Sequence, residues 1–227
     1  MAPRSARGTP KSDPEATAPV RLARAHRREA LLDAAAALIV VDGVEAVSMD
    51  AVADHAGVSR PLVYKHFGNR GEMLTAVYRR EATILHNELS SKVRAAASLE
   101  EMYRTLVRAA FRASSERGRL FRALRAAGAW NPDLRREQEE RDRATVRFFA
   151  EHASAEFGIP AVEAEAAAAM LLTTLDSVLS QFRARRAHVT AAVLEDTYLD
   201  LVVGGLEHLA ARTHLARRRA RAAGASR

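Results

Sequence analysis

Between Leu22 and Leu209 the apolar residues of this 227-residue chain recur at helical spacing. The segments are rich in alanine and leucine and are punctuated by short Gly, Pro, Ser or Asn stretches. No run of alternating β-branched residues is long enough to make a strand, so the pattern restricts the chain to an all-α fold. About nine helices are expected, at 22–41, 49–56, 60–66, 70–95, 99–115, 119–127, 132–157, 160–186 and 191–218. Several ends have a stated chemistry. Ser48 and Thr190 stand at N-cap positions, Asn131-Pro132 supplies a cap followed by a first-turn proline, and Gly158-Ile159-Pro160 stops one helix and starts another. Short helices crowd the first third and long ones fill the rest, which predicts a small N-terminal unit and a larger helical domain.

Composition removes whole classes of chemistry. With no cysteine there are no disulfides, thiolate nucleophiles or cysteine-containing zinc sites. The eight histidines form no His-x-x-x-His or Glu-x-x-His pair, and the chain has no P-loop, GxGxxG or GxSxG motif. The expectation is therefore no enzyme, no metal and no cofactor. The longest apolar run, Ala34 to Val41, falls far short of the ~20 residues of a membrane helix. No apolar stretch follows the basic residues at the N-terminus, as a secretory signal would require, so a soluble, cytoplasmic protein is expected.

Placement of charge tells more than the net of +7. Residues 1–28 carry seven basic groups against Asp13 and Glu15, and residues 212–227 carry six arginines and no acid. The body between is mildly acidic. Two basic ends read as a disordered arm over 1–21 and a basic tail over 212–227, pointing to a polyanion met at the ends.

The most informative stretch runs from Val47 to Leu74, VSMDAVADHAGVSRPLVYKHFGNRGEML. Ser48 opens a short helix whose inner face is Met49, Val52 and Ala53. Gly57 sits where a left-handed backbone is needed, and Ser59 opens the next helix with Pro61 in its first turn. Val63 and Phe67 return to one inward face. Two short helices joined by a Gly-containing turn make a helix-turn-helix, whose second helix enters the major groove. Leu31, Leu32, Ala35, Leu38 and Ile39 of the preceding helix supply the third wall. The outward face of the second helix is then Arg60, Leu62, Tyr64, Lys65 and His66, suited to phosphate oxygens and base edges. The same residues also fit an ordinary solvated face.

Ser48, Val52-Ala53, Ala56-Gly57-Val58-Ser59, Tyr64-Lys65-His66-Phe67 and Gly68-Asn69-Arg70 follow the pattern of a known domain. Over about residues 28–75 the chain resembles the DNA-binding domain of the tetracycline-repressor (TetR/AcrR) family of bacterial transcriptional regulators. The resemblance implies a helix-turn-helix domain over 22–75 and an effector-binding and dimerisation domain over 76–211. It implies phosphate contacts from Tyr64 and His66 and a phosphate or base contact from Lys65. Ser59 would open the recognition helix, and Arg60, Pro61 and Leu62 would form its base-facing start. Ser48, Asn69 and Arg70 would clamp the DNA backbone at helix N-termini. The family often has a small or hydroxyl residue where Leu62 stands. It further implies a homodimer, paired through helices 160–186 and 191–211, that binds a near-palindromic double-stranded operator. Such a dimer would act as a repressor released by a small molecule.

Independent features accord with a larger domain of that kind. Helices 160–186 and 191–211 are apolar over more of their circumference than one monomer face needs, and Gly204-Gly205 lies inside a helix. Phe111, Trp130, Phe148 and Phe149, with Tyr103, either line a cavity for a largely apolar effector or fill the core. Thr173, Asp176, Ser177 and Gln181 either orient such a ligand or form a polar stripe facing solvent or a partner. Two rival functions are an architectural protein that binds duplexes without reading sequence and an unrecognised helical enzyme. A membrane-surface role for 209–221 is disfavoured, since that segment has few large apolar side chains.

Overall fold

The computed structural model describes residues 14–112, 116–184 and 190–224. Among them every regular element is helical: α1 (Pro14–Asp42), α2 (Met49–Ala56), α3 (Arg60–His66), α4 (Arg70–Arg94), α5 (Leu99–Arg112), α6 (Glu116–Ala127), α7 (Pro132–Phe157), α8 (Ala161–Ala184) and α9 (Ala191–Gly224). A 3-10 turn at Val44–Ala46 follows α1. The bounds of α2, α3 and α7 coincide with those expected.

Both chain ends depart from expectation. Residues 14–21, expected within a disordered arm, form the first turns of α1. Pro14 occupies the first helical position, where its fixed φ suits a helix and its missing N–H costs nothing, and Glu15 follows in the turn that favours acids. At the other end α9 runs to Gly224, six residues past the expected 218, because residues 212–223 are dominated by alanine and arginine, both strong helix formers, with no glycine or proline among them. The remaining parts of these segments, 1–13 and 225–227, lie outside the described residues.

The chain divides after Met73 into two compact units. In the first, α1 packs on α2 and on the 3-10 turn, and α2 packs on α3. The buried side chains are those the helical period selects: Leu31, Leu32, Ala35 and Ile39 on α1, Met49, Val52 and Ala53 on α2, and Val63 and Phe67 around α3. Phe67 is 1% exposed, and burial of such a ring contributes about 1.5–3 kcal/mol.

In the second unit α5, α7, α8 and α9 enclose a core that includes Tyr103, Val107, Phe149, Leu175, Tyr198, Leu199 and Val202. The most extensive pairing is α7 on α8, and Ala150, Ala153, Ala164 and Ala168 are buried in the same core. Several polar groups of this unit are paired between or at the ends of helices. The Tyr198 hydroxyl donates to the Leu171 carbonyl at 2.7 Å, and Glu156 Oε2 accepts the Leu99 N–H at 2.7 Å, a remote carboxylate cap on α5. Asn131 caps α7 by accepting from the Leu134 N–H at 3.2 Å. Val162, Met170 and Leu201 of α8 and α9 are exposed, and a Cβ placed on Gly204 or Gly205 would meet nothing within 4 Å. No helix among the described residues is long and apolar enough to cross a membrane.

Candidate nucleic-acid interface

The site is a short helix held rigidly by its flanks. The Ser48 hydroxyl accepts the Ala51 N–H at 3.0 Å and so starts α2. Gly57 ends it at φ 64°, a left-handed conformation that an L side chain enters at a cost of about 1–2 kcal/mol. Ser59 occupies the N-cap position of α3, where its carbonyl accepts the Leu62 N–H at 2.9 Å. Its hydroxyl makes no cap bond. Seven residues then suffice, because Val63 and Phe67 are anchored in the core and the other side chains face outward.

Arg60, Pro61, Tyr64 and Lys65 are exposed, while Leu62 and His66 are half-buried. The Arg60 guanidinium makes an ion pair through Nε to Asp50 Oδ1 at 2.7 Å. It also lies 5.6 Å from the centre of the Tyr64 ring, with Nη2 at 3.5 Å from the Tyr64 hydroxyl. The Tyr64 contact first, and Asp50 second, hold Arg60 above its ordinary pKa. At the other end of α3, His66 is held below its usual value, first by desolvation and then by the positive charges of Arg24, Arg28, Lys65 and Arg27. Arg28 also stands over the Phe67 ring, 5.0 Å from its centre.

Those α1 arginines were counted in the charge of the arm but absent from the expected site. Their spacing carried the signal: Arg24, Arg27 and Arg28 fall at helical intervals and lead directly into Leu31 and Leu32, whose side chains are buried. Asp50 was also missed, since its link to Arg60 is made only by the turn between helices.

Asn69 and Arg70, like Ser48, have their side chains engaged within the protein. Asn69 Oδ1 accepts the Glu72 N–H at 2.9 Å, and Glu72 Oε2 in turn accepts the Gly68 N–H at 2.8 Å, a reciprocal cap that opens α4. Arg70 Nη2 donates to the Val44 carbonyl at 2.8 Å and to Glu45 Oε2 at 2.9 Å, so its guanidinium holds the 3-10 turn. The local reason is that Arg70 is the first residue of α4 and its long side chain reaches the carbonyl just past Gly43.

Of the expected effector residues, Phe111, Phe148 and Phe149 gather at one core and Trp130 stands apart from it. Phe149 is buried, and its ring lies 4.5 Å from Tyr103 and 5.5 Å from Phe148. Phe111 and Phe148 are half-buried against the same core. Trp130, 45% exposed, sits in the turn between α6 and α7. Thr173 and Ser177 face outward on α8, and the side chains of Asp176 and Gln181 lie outside the described residues.

This geometry defines a helix-turn-helix module with a basic, partly aromatic outer face. Residues 31–77 match the model for bacterial regulatory proteins of the tetR family. Over that stretch, about a fifth of the chain, the protein is similar to the DNA-binding domain of that family. The chain is 37% identical over 91 residues to the HTH-type transcriptional activator FasR of Mycolicibacterium smegmatis, covering 40% of this chain and 42% of that protein. It thus spans about two fifths of the length of the curated relatives it matches. Over most of its length it superposes on a transcriptional regulator from Rhodococcus sp. Rha1, with a TM-score of 0.67 and 25% identity over 79% of this chain and 95% of that one. FadR from Bacillus subtilis, solved in complex with stearoyl-CoA, has the same fold, with a TM-score of 0.63 and 16% identity over 78% of this chain and 98% of that one.

Proposed function

We propose that this chain is a homodimeric transcriptional repressor that binds a near-palindromic operator and is released by a small, largely apolar molecule. The observation that carries the reading is the outer face of α3. Tyr64 and Lys65 are exposed on a helix fixed by Val63 and Phe67, with Arg24, Arg27 and Arg28 acting electrostatically on His66 beside them. Tyr64, Lys65 and the α1 arginines take phosphates, and Arg60 takes a base edge. Ser48 and Asn69 bring two helix N-termini to the DNA backbone. Arg70 contributes chiefly by holding the 3-10 turn.

The second unit supplies the pairing and the ligand response. Val162, Met170 and Leu201 are large apolar side chains in water, and bare backbone at Gly204 and Gly205 lets another helix approach closely. A second copy on this face would set two recognition helices about 34–36 Å apart, one turn of duplex. The effector binds beside the aromatic cluster of Tyr103, Phe148 and Phe149, as the stearoyl-CoA complex of FadR makes natural for this fold. The mycobacterial relative is an activator, and a promoter-reporter assay separates the two signs.

The test is fluorescence anisotropy with the DNA upstream of the gene and a shuffled duplex, across a salt series. Preference of ~10³-fold for the upstream DNA, retained at ~150–200 mM salt with two protomers per site, is the expected result. Equal, steeply salt-dependent binding to both, persisting against a library of selected duplexes, would favour the architectural reading instead.

A further inference from the structure

Arg60 is the only expected base-reading side chain among the described residues that is held by an acid from the neighbouring helix, and the atoms involved are specific. Asp50 Oδ1 lies 2.7 Å from Nε in an ion pair, and the guanidinium carbon stands over the Tyr64 ring, 5.6 Å from its centre. The fork of an arginine that reads guanine end-on uses its two terminal amino groups against O6 and N7. Pairing at Nε leaves those two groups for DNA; Nη2 has only a long contact, 3.5 Å, to the Tyr64 hydroxyl. Asp50 itself is exposed in the first turn of α2, next to the Ser48 cap.

We propose that Asp50 is a specificity-determining positioning residue: it orients Arg60 for a guanine and makes phosphate a poor substitute. The inference rests on the DNA-reading function proposed above. An arginine without this partner keeps only the looser Tyr64 contact and takes any phosphate within reach, which raises affinity for every sequence and flattens the preference for one. With Asp50 in place, a carboxylate beside the guanidinium repels a phosphate approaching from the α2 side, while the neutral guanine edge meets no such repulsion. Asp50 thus acts through Arg60 and touches no base.

Sequence selection from a random duplex library, using the full-length protein and its Asp50→Asn, Asp50→Glu and Arg60→Ala variants, tests this. The wild type should enrich a half-site with a guanine that Arg60→Ala no longer selects. Asp50→Asn should lose preference at that same position and bind random duplex about two- to five-fold more tightly per recognition helix, the range an exposed ion pair supports. Asp50→Glu should restore part of the preference. A role confined to stabilising α2 would lower the melting temperature of Asp50→Asn and leave the selected base unchanged, and that result overturns the proposal. If the wild type enriches a half-site and Asp50→Asn enriches the same one, only the positioning role fails. If the wild type enriches nothing, the DNA-reading function fails with it.

Discussion

The guanidinium of Arg70 donates to the carbonyl of Val44 across 26 residues of sequence, at 2.8 Å, and the same Nη2 reaches Glu45 at 2.9 Å. The two partners are unequal. The Arg70 side chain is 30% exposed and Glu45 is 75% exposed, so water screens the carboxylate far more than the carbonyl bond. Arg70→Ala should cost about 1–3 kcal/mol, because a half-buried carbonyl loses its charged donor. Glu45→Ala should cost less than about 1 kcal/mol. Urea denaturation of both variants checks the order, and equal losses would contradict it.

His66 gives the N-terminal unit a pH response of definite sign. Its folded pKa lies below the ordinary 6.5, through desolvation and the Arg24, Arg28, Lys65 and Arg27 charges. The unfolded chain therefore takes up the proton first as pH falls. Stability from this group is complete above about 6.5 and is lost as pH drops from there through the lowered folded value. Melts between pH 7.5 and 5.0 should show the acid-side loss reduced in His66→Gln. An unchanged pH dependence in that variant would rule out His66 as its source.

A Cβ on Gly128 would lie 2.5 Å from Gln138 Oε1 and 3.1 Å from the Arg125 carbonyl. Gln138 is buried and cannot simply swing away, since its Nε2 donates to the Leu124 carbonyl at 2.9 Å. Gly128→Ala should destabilise by about 1–3 kcal/mol. Because both changes act on one contact, the Gly128→Ala/Gln138→Ala double variant should lose less than the two single losses added. Strict additivity in denaturant titrations would place the strain elsewhere.

The proposed pairing through α8 and α9 makes Leu201, 68% exposed on α9, a sensitive position. Sedimentation of the wild type should give twice the 24.8 kDa chain mass. Leu201→Glu should raise the dimer dissociation constant at least about tenfold, a loss of ~1.4 kcal/mol, while retaining the helical signal. A dimer indifferent to this change would put the interface on another face.

Elements set by local chemistry were legible before any coordinates. Ser48, Gly57 and the 3.6-residue recurrence of Val63 and Phe67 delimit α2 and α3 to the residue, because each signal lies within a few positions of its effect. The partners of Arg70, Arg60 and Leu99 were not legible. Each lies on another element, ten to 57 residues away, and the sequence carries no mark of the meeting. Aromatic size alone left Trp130 open between cavity and core, and its place in the turn before the Asn131 cap, 45% exposed, had no mark in the sequence. The start of α1 was missed because prolines and small polar residues read as disorder when a first-turn proline is equally at home in a helix.

A formed α1 changes what attraction to DNA would cost. Arginines on a disordered arm would have to be ordered when they meet a phosphate, at about 1–2 kcal/mol for each backbone residue fixed. Arg24, Arg27 and Arg28 already stand on a formed helix whose next turns are buried through Leu31 and Leu32. Their charge is preorganised, so nearly all of the counterion release they cause is available as affinity. Residues 29–80, with five basic groups against seven acidic ones, would therefore be carried to DNA by three cations that need no folding on arrival.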